Sequence, residues 1–353
     1  MEKIMENTAK KQFSRLGLMF FLGTLIIYAA QLIPMTIVQL VKPEWLDNPD
    51  ISLILSVLPL YLVGMPLLIL LVKKGVPAEQ IERHSISRGK FAVAAIMCFG
   101  LVYLTNIIAN VMTFFIGLIK GNVVNNVIAN VAMSVSIWLV VLYMVLIAPF
   151  MEEYVFRKLI VDRTVKYGQG VAVLMSGLMF GLFHGNLNQF VYAFALGSFL
   201  AFLYVKTGNL KITIALHMMI NFMGGVVSVL ALKGLDMEAY QEAFLSGDTA
   251  LITAYLGEHL GGLLLYGIYL FFVVGMIIAG GVLIIIALAK KRFVLEPGQE
   301  ALPAGKGFAP AGEPFSFQLG IAVPKIPHGK IYHGFWQVWF PHEQQHNLHE
   351  GAE

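Results

Sequence analysis

The segment Pro149-Phe-Met-Glu-Glu-Tyr-Val-Phe-Arg157 puts two adjacent carboxylates and an arginine at the end of a long apolar run. Charge beside hydrocarbon is costly, so such groups pair, face a cavity or do chemistry. Helical spacing sorts them. Glu153 and Arg157 are i,i+4 and can pair on one face. Glu152 lies about 100° round the helix from Glu153 and is not committed to that arginine. Pro149 has no amide donor and predicts a kink just before it. The plain alternative is a helix end decorated with interfacial charges.

Two histidines extend the set. His184 ends Phe180-Gly-Leu-Phe-His184, and His217 opens His217-Met-Met-Ile-Asn221. Phe180 and His184 share a face, as do His217 and Asn221. A single intramembrane histidine commonly serves as a helix–helix hydrogen bond. Two histidines, an asparagine and an isolated glutamate also hold what hydrolysis needs. A desolvated carboxylate can take a proton from water near neutral pH. One histidine can orient that water, while a second histidine and an asparagine amide donate to a developing oxyanion. Glu152, His184 and His217 could equally ligate zinc. Asn221 suits an oxyanion better than zinc, so no cofactor is favoured.

These residues must be positioned by membrane helices. The chain has 353 residues, 58% hydrophobic and 13% charged, with mean hydropathy +0.76. Soluble domains carry about 25% charged residues. The composition gives an all-α polytopic membrane protein. A net charge of +3 identifies no partner beyond the lipid bilayer, and no nucleic acid is expected. Cys98 is the single cysteine, which excludes an intrachain disulfide; it reads as a small buried hydrophobe.

A span needs roughly 20 apolar residues. The candidates are Leu16–Val41, Leu53–Val72, Phe91–Ile119, Met133–Met151, Val171–Phe183, Phe190–Val205, Ile212–Leu232 and Leu260–Ala289, about eight transmembrane helices. The fifth and sixth are short. Lys and Arg concentrate in alternate loops, with clusters at Lys10–Arg15, Lys73–Lys90, Arg157–Lys166, Lys206–Lys211 and Lys290–Arg292. By the positive-inside rule both termini are cytoplasmic. The loop from Gly234 to Glu258, on the other side, is acidic. Gly177, Gly181 and Gly185, with Ala193, Gly197 and Ala201, predict a tight fifth–sixth pair. Counted along the helices, His217 lies about 10 Å in from Lys211 and His184 about 20 Å in from Val171. They meet only if the fifth helix tilts or starts below the membrane surface.

The order Glu-Glu-x-x-x-Arg, Phe-x-x-x-His, His-x-x-x-Asn, over roughly Met133 to Val229, resembles the CAAX protease and bacteriocin-processing (CPBP) family of intramembrane endopeptidases, which includes the type II CAAX prenyl endopeptidases. The resemblance implies an eight-helix fold and cleavage of a membrane-associated peptide or protein with an accessible terminus. It implies Glu152 as catalytic base, His184 as its aid in activating water, and His217 and Asn221 as the oxyanion site. Glu153, Arg157 and Phe180 would support them. It also implies a multi-pass protein of a prokaryotic plasma membrane. The set lies near the cytoplasmic half, where a peptide end could enter. The alternatives are an inactive immunity or scaffold protein of the same fold and a transporter using the same polar groups as an ion path.

The chain thus divides into an N-terminal cytoplasmic segment, 1–15, a membrane domain, 16–292, with its family-like core at about 133–229, and 293–353. In the last part, Glu296 to Pro314 reads as a flexible Pro/Gly-rich linker. Beyond it lies a tail rich in histidine and aromatics. Its His342-Glu-Gln-Gln-His346 fits a zinc-protease pattern, but it follows Pro341 in a tail without a core and is expected to be a decoy.

Overall fold

The computed structural model describes residues 2–121 and 127–300. The linker beyond 300 and the tail with His342 and His346 lie outside the described residues. The helices are α1 (Glu2–Val41), α2 (Pro49–Gly75), α3 (Arg88–Lys120), α4 (Val127–Ser134), α5 (Ile137–Tyr167), α6 (Gln169–Phe183), α7 (Leu187–Thr207), α8 (Leu210–Lys233), α9 (Met237–Ser246), α10 (Thr249–Glu258) and α11 (Leu260–Ala289). Among the described residues, seven are long and apolar enough to cross a membrane, and α6 is a shorter apolar helix of 15 residues. Seven of the eight expected segments are continuous helix, the fourth is broken at Val135–Ser136 between α4 and α5, and the chain is an all-α, multi-pass membrane protein. The acidic loop is itself folded, as the hairpin of α9 and α10.

Local chemistry sets the boundaries. Ser87, Asn186, Asn209, Asp236 and Asp248 cap the starts of α3, α7, α8, α9 and α10 by accepting from first-turn amides. Gly121 and Gly208 end α3 and α7 in the left-handed conformation. The fourth expected span stopped at Met151, where hydropathy falls; α5 instead runs on to Tyr167. Its polar continuation is satisfied by protein rather than by water.

Glycine brings two helix pairs close. A Cβ on Gly197 would lie 2.8 Å from the Phe180 ring and 3.2 Å from Gly177 Cα, so α6 and α7 meet as the glycine spacing predicted. A Cβ on Gly100 would lie 2.8 Å from Gly280 Cα, which joins α3 to α11. The sequence reading had not paired these two.

The Lys/Arg-rich ends converge on the α5–α6 junction. Tyr167 donates to Gln12 Oε1 at 3.0 Å and packs on Phe13, in the segment of α1 that precedes Arg15. Hence α6 starts beside the part of α1 that precedes Arg15, and His184 and His217 both reach the Phe180 ring. Residues 296–300 are not a free linker: they dock on the same junction. Gln169 N donates to Glu296 O at 3.0 Å, and Gln299 N to Lys166 O at 2.8 Å. Lys206–Glu296 and Lys166–Glu300 ion pairs flank these bonds at 3.1 and 3.0 Å.

Candidate active site

The site forms where α5, α6 and α8 cross. Pro149 interrupts α5 as its chemistry requires. The stretch Val140–Ile147 is π-helical, and the Ala148 amide reaches back five residues to Tyr143 O. Met144 O would next be served by residue 149, which is proline and has no N–H. The Asn221 side-chain amide fills the gap, donating to Met144 O at 2.7 Å. A second widened turn, Tyr154–Val161, follows the two glutamates.

The adjacent carboxylates have separate surroundings. Glu153 and Arg157 are both fully buried; Glu153 Oε1 accepts from Arg157 Nη2 at 2.9 Å, and Oε2 lies 2.9 Å from Nε. Arg157 Nη1 also donates to Ser176 Oγ at 3.2 Å, and Ser176 in turn donates to Phe156 O. The guanidinium sits 5.0 Å from the centre of the Phe180 ring. Such a pair is tolerable in hydrocarbon because its charges are matched and Ser176 and the Phe180 ring surround the guanidinium.

His217 stands between the two glutamates. Its Nδ1 lies 3.0 Å from Glu153 Oε1, and its Nε2 lies 3.8 Å from Glu152 Oε2. A carboxylate already held by arginine accepts, so His217 Nδ1 carries the proton and donates. The side chain of Glu152 retains 12% exposure, against 3% for His217. His184 Nδ1 donates to Phe180 O at 2.8 Å, which leaves Nε2 as the free acceptor of the neutral ring. Phe180 meets both histidines edge-on, with centroids 4.9 Å from His184 and 5.6 Å from His217.

Glu152, His184, His217 and Asn221 all line one cavity of about 940 Å³. The structure therefore brings together all seven residues singled out from the sequence, with Glu153, Arg157 and Phe180 in the wall behind. The reading of the sequence missed Tyr61, Gln189 and Tyr192, which share the cavity with Glu152, and Ser176 behind Arg157. Single hydroxyls and amides in apolar runs gave no signal for them. His217 Nδ1 is taken up by Glu153 and its Nε2 faces Glu152; among the described residues no three His, Cys, Asp or Glu side chains are grouped to hold a metal ion.

Residues 133–223 match the family model described as Type II CAAX prenyl endopeptidase Rce1-like. The putative membrane peptidase YdiL of Bacillus subtilis (strain 168) is 32% identical over 84 residues, which are 24% of this chain and 34% of that protein. The match thus spans about a third of the length of YdiL. The membrane-embedded CAAX protease MroQ of Staphylococcus aureus (strain USA300) is 28% identical over 235 residues, 62% of this chain and 91% of that protein. No solved structure matches significantly. The matched segment begins ahead of α5 and closes just past Asn221, so the part of the chain that is similar to the Rce1-like type II CAAX prenyl endopeptidases holds both glutamates, both histidines and the asparagine.

Proposed function

We propose that this chain is an intramembrane endopeptidase that hydrolyses a peptide bond of a membrane-associated peptide or protein through a glutamate-activated water. The observation that carries the reading is the division of labour between neighbours. Glu153 is spent on Arg157 and His217, while Glu152 faces the cavity without a buried cationic side chain of its own. The family match and the names of the two relatives support the reaction class.

In this reading Glu152 takes a proton from water as the oxygen adds to the scissile carbonyl carbon. His184 Nε2, on a ring held by the Phe180 carbonyl, accepts a hydrogen bond from the water's second O–H, which stays on the attacking oxygen, and so orients the lone pair. The carbonyl becomes an oxyanion, and its site is made by the remaining Asn221 N–H and the His217 ring. Protonated Glu152 then gives its proton to the departing amine nitrogen, and the C–N bond breaks. Glu153 and Arg157 fix the ring of His217. The loop charges support a cytoplasmic position for both termini, so a peptide terminus would reach the site from that side.

The test is cleavage of membrane-associated peptides by purified protein in nanodiscs. Wild type and Glu152→Gln are compared, each with and without a permeant chelator. The full chain and a protein ending at Glu300 are both assayed, so that any metal taken up by the histidines beyond residue 300 is separated from metal at the site. Activity lost in Glu152→Gln and indifferent to chelator is expected. Cleavage that survives Glu152→Gln sinks the assignment, and loss with chelator in the shortened protein replaces it with a metal-bound water.

A further inference from the structure

The turn between α6 and α7 is at the wrong depth for a membrane loop. Asn188, just past it, donates to Asn110 of α3 at 3.0 Å. From Asn110, α3 continues ten residues to Lys120, about 15 Å at helical rise. On the other flank, a Cβ on Gly185 would lie 3.9 Å from Tyr28 Oη of α1, and α1 runs about 20 Å further to Val41. The turn at Gly185–Asn186 is therefore sunk well below the ends of its neighbours, as follows from a 15-residue helix that starts early. Non-helical backbone at membrane depth persists only where protein buries it or where it lines a water-filled space. Gly185 is exposed, so protein does not bury it.

The walls above this turn are polar where lipid-facing helices are not. On α1, Thr24, Tyr28 and Gln31 fall at i, i+4 and i+7 and all line the cavity that holds Glu152. On α3, Asn106, Asn110 and Thr113 repeat the same spacing. Asn110 donates to Asn106 Oδ1 at 2.9 Å, and Asn188 also reaches Thr113 Oγ1 at 3.4 Å. Asn106 lines the cavity as well, so the amide ladder begins at the site and climbs away from the Lys/Arg-rich ends. Asn188 is 6% exposed, and its Oδ1 has no partner, although a buried amide oxygen holds out for a donor. A bridging water would supply one.

We propose that the α6–α7 turn is the floor of a water-filled vestibule, walled by the polar stripes of α1 and α3, which opens at the end of the bundle opposite the Lys/Arg-rich loops and admits water to the cavity. Its use as the source of hydrolytic water rests on the peptidase reading; the vestibule itself rests on the geometry. A substrate terminus and the water that cleaves it would then arrive from opposite faces. An amide ladder that served only to glue α3 to α7 would leave the same space filled with lipid.

Cysteine chemistry separates these outcomes, because a thiol reacts as thiolate and stays inert in hydrocarbon. Gln31→Cys, Asn106→Cys and Asn110→Cys are made singly in full-length Cys98→Ala protein, with lipid-facing controls Ile107→Cys and Phe115→Cys. A membrane-impermeant quaternary-ammonium methanethiosulfonate is applied to sealed cells and to inverted vesicles. The three polar positions are expected to be modified at least tenfold faster than the controls, and from the face opposite the basic loops. Rates equal to those of Ile107→Cys, or modification from the basic face alone, overturn the proposal. Deuterium exchange of unsubstituted protein in nanodiscs is the second measurement. Gly185 and Leu187 amides should exchange at least tenfold faster than those of Leu196–Leu200, and equal protection also overturns it. Labelling needs no turnover, so a wet vestibule in a protein that cleaves nothing would remove the peptidase reading and leave the vestibule standing.

Discussion

The side-chain amide of Asn221 donates to the main-chain carbonyl of Met144 at 2.7 Å, across 77 residues of chain. The bond exists because Pro149 cannot supply the donor that a widened turn would otherwise direct at that oxygen. Asn221 therefore ties α8 to the kink in α5 whatever else its amide does. Asn221→Ala is expected to cost about 1–2 kcal/mol by orphaning the carbonyl. Pro149→Ala restores an N–H at the right place. In the double variant the losses should be less than additive by about 1 kcal/mol. Chemical or thermal unfolding in detergent measures this coupling; strict additivity would refute the link.

Glu152 and Glu153 should respond oppositely to the same substitution. Glu153→Gln leaves Arg157 as an unmatched cation at 0% exposure, and removal of one member of a buried pair costs about 3–5 kcal/mol. Glu152→Gln removes no such counter-charge and should keep stability within about 0.5 kcal/mol of wild type while abolishing cleavage. Thermal unfolding run beside the peptide assay tests both. Equal destabilisation by the two would contradict the separation of the two carboxylates.

How legible was this arrangement beforehand? The hydrophobic runs located every span, and Leu260–Ala289 came out to the residue because Lys290 ends it abruptly. The Glu153–Arg157 pair was visible because i,i+4 geometry is local. The continuation of α5 to Tyr167 was not: hydropathy scores transfer into lipid, and it cannot tell an arginine exposed at a surface from one enclosed by Glu153, Ser176 and Phe180. The widened turns were equally hidden, with Pro149 marking the place of a kink but not its form. The docking of residues 296–300 depends on backbone pairing with Lys166 and Gln169, more than 120 positions away, and composition carries no trace of it.

Close approach of α6 and α7 supplies a third expectation. Gly197→Val would drive a branched side chain into Phe180, which contacts both histidines and Arg157. Loss of about 2–3 kcal/mol is expected, as for overpacking elsewhere, together with loss of cleavage. A Cβ on Gly275 of α11 meets nothing within 4 Å. Gly275→Ala should be neutral or stabilising by up to about 1 kcal/mol. Similar melting temperatures for the two variants would argue against the packing described.

The docked segment is testable by charge reversal. Lys166→Glu sets like charges against Glu300 and should release residues 296–300, read as faster proteolytic clipping between Arg292 and Glu300. Glu300→Lys in the same chain should restore protection in large part. The exposed ion pairs themselves contribute little, about 1 kcal/mol or less each, so the rescue should weaken as salt is raised. Unchanged clipping in Lys166→Glu would show that the backbone bonds alone hold the segment.

The pairing of Glu153 with Arg157 bears on how this protein is made. Both residues belong to one helix and stand one turn apart, so their contact needs no second helix to be present. The helix can enter the bilayer during synthesis already carrying its own counter-charge, while Glu152 enters beside it unmatched. His217 arrives 64 residues later in the chain than Glu153. Between those two moments the site lacks the histidine and asparagine that wall it, and it is the insertion of α8 that completes it.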